Sequence, residues 1–182
     1  MANITLAVTG SISAYKAADL TSQLTKLGHK VTVLMSRSAM DFITPLTLQS
    51  LSKNLVHTVI MVEEDPSLIK HIDISKETDL FLVAPASANT IAKLAHGMAD
   101  NIVTATALAL PIGIPKLIAP AMNTNMYLNP ANQKNLNTLE EYGFDEIKPR
   151  EALLACGDFG TGALAEVTDI LEKVSNTLDE KK

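Results

Sequence analysis

Short apolar runs alternate with amphipathic stretches along most of this chain. Ile4-Thr5-Leu6-Ala7-Val8, Val31-Thr32-Val33-Leu34-Met35, Leu80-Phe81-Leu82-Val83-Ala84 and Lys116-Leu117-Ile118-Ala119 are each too short for a buried helix. They read as strands, and the wholly apolar run 80–84 as one covered on both faces. Residues 56–62 read as a further strand and residues 144–147 as a weak edge strand. Between them the period changes. Leu20, Leu24 and Leu27 share one stripe of a helix over 13–27, which Gly28 closes. Residues 39–51 read as helix interrupted at Thr44-Pro45, residues 87–95 and 101–109 as two helices around Gly97-Met98, 131–142 as a helix ending at Gly143, and about 166–178 as a closing helix. Residues 65–75 read as a loop carrying Lys70-His71-Ile72.

Alternation of this kind specifies an α/β fold with right-handed crossovers. The expectation is a doubly wound, Rossmann-like three-layer sandwich, with a parallel sheet of about six strands and helices on both faces. No repeat or linker divides it, so residues 1–182 are expected to form one domain with a flap over about 150–166. Ligands of such sheets bind beyond the carboxyl ends of the strands, which directs attention to the loops after each one.

Composition narrows the function classes. Hydrophobic residues make up 47% of the 182, aromatic ones 4%, so the core is aliphatic. A formal net charge of −5 without a basic run argues against nucleic acid as the main partner. The apolar stretch 102–122 is broken by Pro111, Pro115 and Pro120, which suits two soluble elements better than a membrane span. One cysteine excludes an intramolecular disulfide, and the N-terminus lacks a signal-peptide pattern, so a cytoplasmic protein is expected. No histidine pair stands at metal-ligand spacing and no metal is expected. Neither G-x-G-x-x-G, G-x-x-x-x-G-K-[ST] nor G-x-S-x-G occurs.

Candidate chemistry lies at the strand ends. Gly10-Ser11-Ile12-Ser13 follows the first apolar run and Ser36-Arg37-Ser38 the second; both offer hydroxyls at a helix start, to a ligand anion or simply as helix caps. Ser87, Asn89 and Thr90 follow the fourth strand, with small Ala88 among them. Ala121-Met122-Asn123-Thr124-Asn125-Met126-Tyr127 follows the fifth, where the Asn123 amide can bind a carboxylate or amide, or serve turn chemistry. Cys156 stands in Leu154-Ala155-Cys156-Gly157, with Gly160 and Gly162 close behind. So many glycines predict an irregular, mobile flap with these three as hinges. The thiol is either a small apolar anchor for that flap or a chemical group on it.

Taken together, Gly10-Ser11-Ile12-Ser13-Ala14-Tyr15-Lys16, His71-Ile72, Pro85-Ala86-Ser87-Ala88-Asn89-Thr90, Pro120-Ala121-Met122-Asn123-Thr124-Asn125-Met126-Tyr127 and Ala155-Cys156-Gly157 resemble the homo-oligomeric flavin-containing cysteine decarboxylases. They occur in family order over nearly the whole chain. The resemblance implies FMN, contacted by Gly10, Ser11, Ile12, Ser36, Ser38, Ser87, Ala88, Asn89, Thr90 and Ala121. It implies His71 and Cys156 as catalytic residues, Asn123, Ala155 and Gly157 as substrate contacts, and a trimer or dodecamer with active sites near subunit interfaces. Two departures stand out: Tyr127 where members often carry Trp, and Ala163 where some carry Arg.

Within that family the chain looks most like the coenzyme A branch, which removes CO₂ from 4′-phosphopantothenoylcysteine to give 4′-phosphopantetheine. Loss of CO₂ from a cysteine amide needs an electron sink, which oxidation of the thiol-bearing carbon creates. The resulting enethiol must then be reduced, and a protonated Cys156 on a closing flap is a suitable acid. A fused ligase domain, found in some members, is not expected here. The alternatives are a peptidyl-cysteine decarboxylase, which oxidises without reducing, and a non-catalytic FMN-binding regulatory subunit. A flavin prenyltransferase fits the P-x-M-N and A-C-G segments poorly, and a nicotinamide enzyme lacks its glycine fingerprint.

Overall fold

The computed structural model describes residues 1–61 and 69–180. Six parallel strands form one sheet: β1 (Asn3–Val8), β2 (Lys30–Met35), β3 (Val56–His57), β4 (Leu80–Ala86), β5 (Lys116–Pro120) and β6 (Phe144–Glu146). Their order is β3-β2-β1-β4-β5-β6. The connections turn one way from β1 and the other way from β4, so the switch point falls between these neighbours. The helices are α1 (Lys16–Lys26), α2 (Pro45–Ser52), α3 (Lys70–Glu77), α4 (Ala88–Ala95), α5 (Ile102–Leu108), α6 (Thr124–Leu128), α7 (Pro130–Glu141) and α8 (Val167–Asp179).

The apolar runs lack alternation because both faces of the sheet are covered. Ile4, Leu6 and Val8 of β1, with Leu80 and Leu82 of β4, join Leu20 and Leu24 of α1, Leu48 of α2, and Ile170 and Val174 of α8. The intervening Ala7, Phe81 and Val83 face Ile91 of α4, Ile102 and Val103 of α5, and Leu136 and Leu139 of α7. Strand side chains alternate by period 2, so one strand supplies two cores.

Local chemistry sets the ends. Gly28 takes φ +86 after α1, as its C′ position requires. The Thr44 and Ser87 hydroxyls accept backbone N–H bonds at the starts of α2 and α4, and Asn101 accepts from Val103 and Thr104 ahead of α5. A 3-10 turn over Ile12–Tyr15 precedes α1, and another spans Arg37–Asp41 where the sequence predicts helix.

Four expectations change. β3 has only two residues, and the end of the expected run, Val62, lies outside the described residues. Residues 70–75, read as loop, open α3: Asp73 accepts the Ile69 N–H at 3.0 Å, and Ile74 packs on the second core. Residues 65–68 of that expected loop lie outside the described residues. The short α6 escapes a periodicity search because one and a half turns cannot establish a period. The flap is not irregular. β7 (Arg150–Leu153) and β8 (Phe159–Ala163) form an antiparallel hairpin, closed by Leu154 N–H to Asp158 O at 2.8 Å and Gly157 N–H to Leu154 O at 2.9 Å.

The glycines therefore divide. Gly157, at φ +90, makes the hairpin turn. Gly160 and Gly162 are not hinges but points of contact within β8. A Cβ at Gly160 would meet Thr124 Oγ1 at 2.6 Å, and one at Gly162 would meet the Met122 carbonyl at 2.2 Å. The hairpin docks on the segment after β5 because these two positions have no side chain.

Candidate active site

Three strand ends meet at one cleft, and backbone and hydroxyl bonds fix them. Thr9 is fully buried; its hydroxyl donates to the Pro85 carbonyl at 2.7 Å and accepts the Ser87 N–H at 2.8 Å. The end of β1 is thereby fastened to the loop after β4. Ala121 N–H reaches Ala86 O at 3.1 Å, and Met122 N–H reaches Gly162 O at 2.9 Å. The β4, β5 and hairpin backbones are therefore linked in series.

The cleft so formed has a volume of about 480 Å³. Gly10, Ser11 and Ile12 form one wall, Ser87, Ala88 and Ala121 the floor, and Ala155 and Cys156 an opposing wall on the hairpin, with Asn123 between. Small side chains at the floor let a flat group approach the backbone. At the Gly10 position a Cβ would lie 2.6 Å from that of Ser38, so only glycine permits the two loops to touch.

Asn123 is the N-cap of α6, its side-chain oxygen accepting the Asn125 N–H at 2.8 Å. This leaves its Nδ2 for other partners. Nδ2 donates to Cys156 Sγ at 3.3 Å and reaches Asp158 Oδ2 at 3.5 Å. The Cys156 thiol donates to the same Asp158 oxygen at 3.4 Å. The thiol is exposed, so it is not a packing anchor. An amide, a thiol and a carboxylate thus close a triangle at the cleft mouth.

Not every expected residue lines this cleft. Ser36 caps a 3-10 turn by accepting the Ala39 N–H, and Ser38 supports Gly10 from behind. Thr90 is buried and bonds the Ser87 hydroxyl at 3.2 Å, Asn89 points to solvent, and Gly157 shapes the turn beneath Cys156. His71 lies on α3 and is not among the cleft-lining residues, and its buried Nδ1 has no hydrogen-bond partner among the described residues.

Sequence reasoning missed several members of the site. Lys16 and Arg150 line it, and Glu166 bridges them at 3.4 and 2.9 Å. The hairpin register pairs Arg150 with Ala163, so a cation rises from β7 opposite a small residue of β8. Only the register makes that visible. Asp158, two residues after the thiol, could have been found by its spacing across Gly157. Behind the site, the Tyr127 hydroxyl donates to Glu146 Oε1 at 3.0 Å. Burial, then the Glu146 charge, pushes that phenol up to about 12; burial also raises the Glu146 carboxyl above its usual range.

Residues 1–179 match the family described as Flavoprotein. The chain belongs to this family. It is 59% identical over 175 residues to a probable phosphopantothenoylcysteine decarboxylase of Streptococcus mutans, covering 96% of this chain and 98% of that one. It is 46% identical over 170 residues to the coenzyme A biosynthesis bifunctional protein CoaBC of Bacillus subtilis, covering 93% of this chain but 41% of that protein. Among solved family members, a cysteine-to-serine variant of a PPC decarboxylase complexed with pantothenoylaminoethenethiol superposes with TM-score 0.88 at 31% identity, over 98% of both chains. The peptidyl-cysteine decarboxylase EpiD superposes with TM-score 0.78 at 28% identity, over 96% of this chain and 99% of that one.

Proposed function

We propose that this chain is an FMN-dependent decarboxylase converting 4′-phosphopantothenoylcysteine to 4′-phosphopantetheine in coenzyme A biosynthesis. One observation carries the reading: Asn123 and Cys156 meet at 3.3 Å at the mouth of a cleft whose floor is made of small strand-end residues. The near full-length identity to a probable phosphopantothenoylcysteine decarboxylase supports it.

The cleft fits FMN. Gly10, Ser11, Ile12, Ala88 and Ala121 would hold its flat ring against small side chains, and Ser11, Ser87 and the loop N–H groups would serve its polar arm. Bound there, FMN supplies the hydride acceptor and donor that the side chains lack. The chain's own residues do the rest. Asn123 Nδ2 holds the substrate carboxylate. Lys16 and Arg150 give the cleft mouth a positive rim toward an anionic substrate. The hairpin excludes water from a reactive enethiol, and the Cys156 thiol supplies the proton that completes its reduction. That second half-reaction is what a peptidyl-cysteine decarboxylase does not need. Consistent with it, a relative in which one cysteine is replaced by serine is described with an ethenethiol, a compound already without its carboxylate.

His71 belongs to the same reading through assembly. Exposed apolar side chains gather on the segments flanking β3, among them Leu46 (68% exposed), Leu55, Val59 and Met61 (83%), with Ile12 and Tyr15 beside the cleft. Such surface favours burial against a second copy. A trimer-based homo-oligomer, acting in the cytoplasm, would bring His71 of one copy to the cleft of the next. The test is direct. The purified protein is expected to be yellow and to release a product with the mass of 4′-phosphopantetheine from 4′-phosphopantothenoylcysteine. A protein that takes up no FMN, or leaves this substrate unchanged, overturns the reading.

A further inference from the structure

Asn123 Nδ2, the group that awaits the substrate carboxylate, already faces a carboxylate of the protein itself. Asp158 Oδ2 lies 3.5 Å from it and also accepts the Cys156 thiol at 3.4 Å. Asp158 and Cys156 are joined through Gly157 at φ +90, in a turn closed by Leu154 N–H to Asp158 O. Thiol and carboxylate therefore move together as the tip of one hairpin.

We infer that Asp158 is a positioning residue that couples loss of the substrate carboxylate to placement of Cys156. The inference rests on the function proposed above. One amide cannot serve two carboxylates without bringing like charges together. While the substrate acid occupies Asn123, Asp158 is held off, and the thiol with it. Once CO₂ departs, the amide is free. Asp158 returns to Asn123 and carries Sγ to the enethiol. There the carbon–carbon π pair would take the Cys156 proton, the hydride that the bound cofactor would supply would complete the other C–H bond, and the exposed thiolate would regain a proton from water. The order matters. A thiol in place before CO₂ loss could protonate the thioaldehyde sulfur and, with the hydride returned by the reduced cofactor to its carbon, regenerate the substrate thiol.

The test compares wild type, Asp158→Asn and Asp158→Glu as FMN holoenzymes. Two unreactive probes are titrated by calorimetry: 4′-phosphopantothenoyl-alanine, which keeps the carboxylate without a thiol, and 4′-phosphopantothenoyl-ethylamine, which lacks both. Asp158→Asn is expected to tighten the acid probe about tenfold, the scale of one partly screened charge pair, and to leave the other within about twofold. Asp158→Glu is expected to keep the wild-type ratio. During turnover of 4′-phosphopantothenoylcysteine, Asp158→Asn should also release more enethiol per CO₂. An unchanged ratio of the two affinities in Asp158→Asn, with wild type active, overturns this inference and leaves the proposed function standing. A wild type that does not turn over the substrate overturns both.

Discussion

Cys156 shows how little a residue's type says about its task. It is exposed, and its partners are an amide donor and a carboxylate acceptor rather than a cation or a histidine. A nucleophilic thiol is usually served by positive charge, whereas a thiol hydrogen-bonded to a carboxylate is held as a proton carrier. Serine fills similar space but is a far weaker acid. In Cys156→Ser, the first turnover is expected to release CO₂ near the wild-type rate, with the enethiol as end product and the cofactor left reduced. Mass spectrometry checks this, and normal 4′-phosphopantetheine in full yield contradicts the donor role. Gly162 offers a second test at this scale. Alanine there must displace the Met122 carbonyl, 2.2 Å from the new Cβ, and loosen the Met122 N–H to Gly162 O bond. A cost of about 1–3 kcal/mol is expected in denaturant melts. Turnover should fall further than FMN affinity, because the hairpin, not the floor of the cleft, loses its seat.

At the scale of elements, α6 carries Asn123 and is pinned at both ends. Gly160 and Gly162 of β8 press on its start, and its last turn is fixed by the Tyr127 hydroxyl on Glu146 and by Asn132 and Gln133 donating to the Tyr127 carbonyl. Burial raises the Glu146 carboxyl in the fold. A group with a raised folded value stabilises the fold most while protonated in both states, and that contribution is lost as pH climbs through the folded value. Glu146→Gln keeps an acceptor for Tyr127 and removes the charge. Its Tm should therefore equal or exceed wild type at pH 7 and converge with it near pH 4, as a pH series of thermal melts would reveal. A variant less stable than wild type at pH 7 assigns Glu146 a favourable charge instead. These elements also mark what the sequence could disclose. Strands β1, β2, β4 and β5 are legible because burial on both faces leaves no polar alternation to misread. The loops after β1, β4 and β5 are legible as a site because the fold class fixes their location. The hairpin is not, because Gly160 and Gly162 serve a contact with residues nearly forty positions earlier, and glycine in isolation signals only freedom. Lys16, Arg150 and Glu166 form a cluster only once α1, β7 and the start of α8 are brought together.

For the whole molecule, the one expected catalytic residue that does not line the cleft, His71, sits in the first turn of α3, just after its exposed N-cap residue Ile69. On the assembly proposed above, a second copy covers the apolar flank around β3, and His71, whose buried Nδ1 has no hydrogen-bond partner among the described residues, serves that copy's cleft. Complementation decides it. His71→Asn and Cys156→Ser are each expected to make little 4′-phosphopantetheine alone. Unfolded together and reassembled in equal amounts, they form mixed oligomers. If His71 acts in the neighbour's cleft, a working site needs an intact cleft from the His71→Asn chain beside an intact His71 from the other. With random assembly about one quarter of sites meet this condition, and that fraction of wild-type turnover should return. If His71 served its own chain's cleft, every site would lack one residue and mixing would restore nothing. A Leu46→Asp change in both chains, by placing charge on the apolar flank, should lower the sedimentation coefficient and abolish the recovery together.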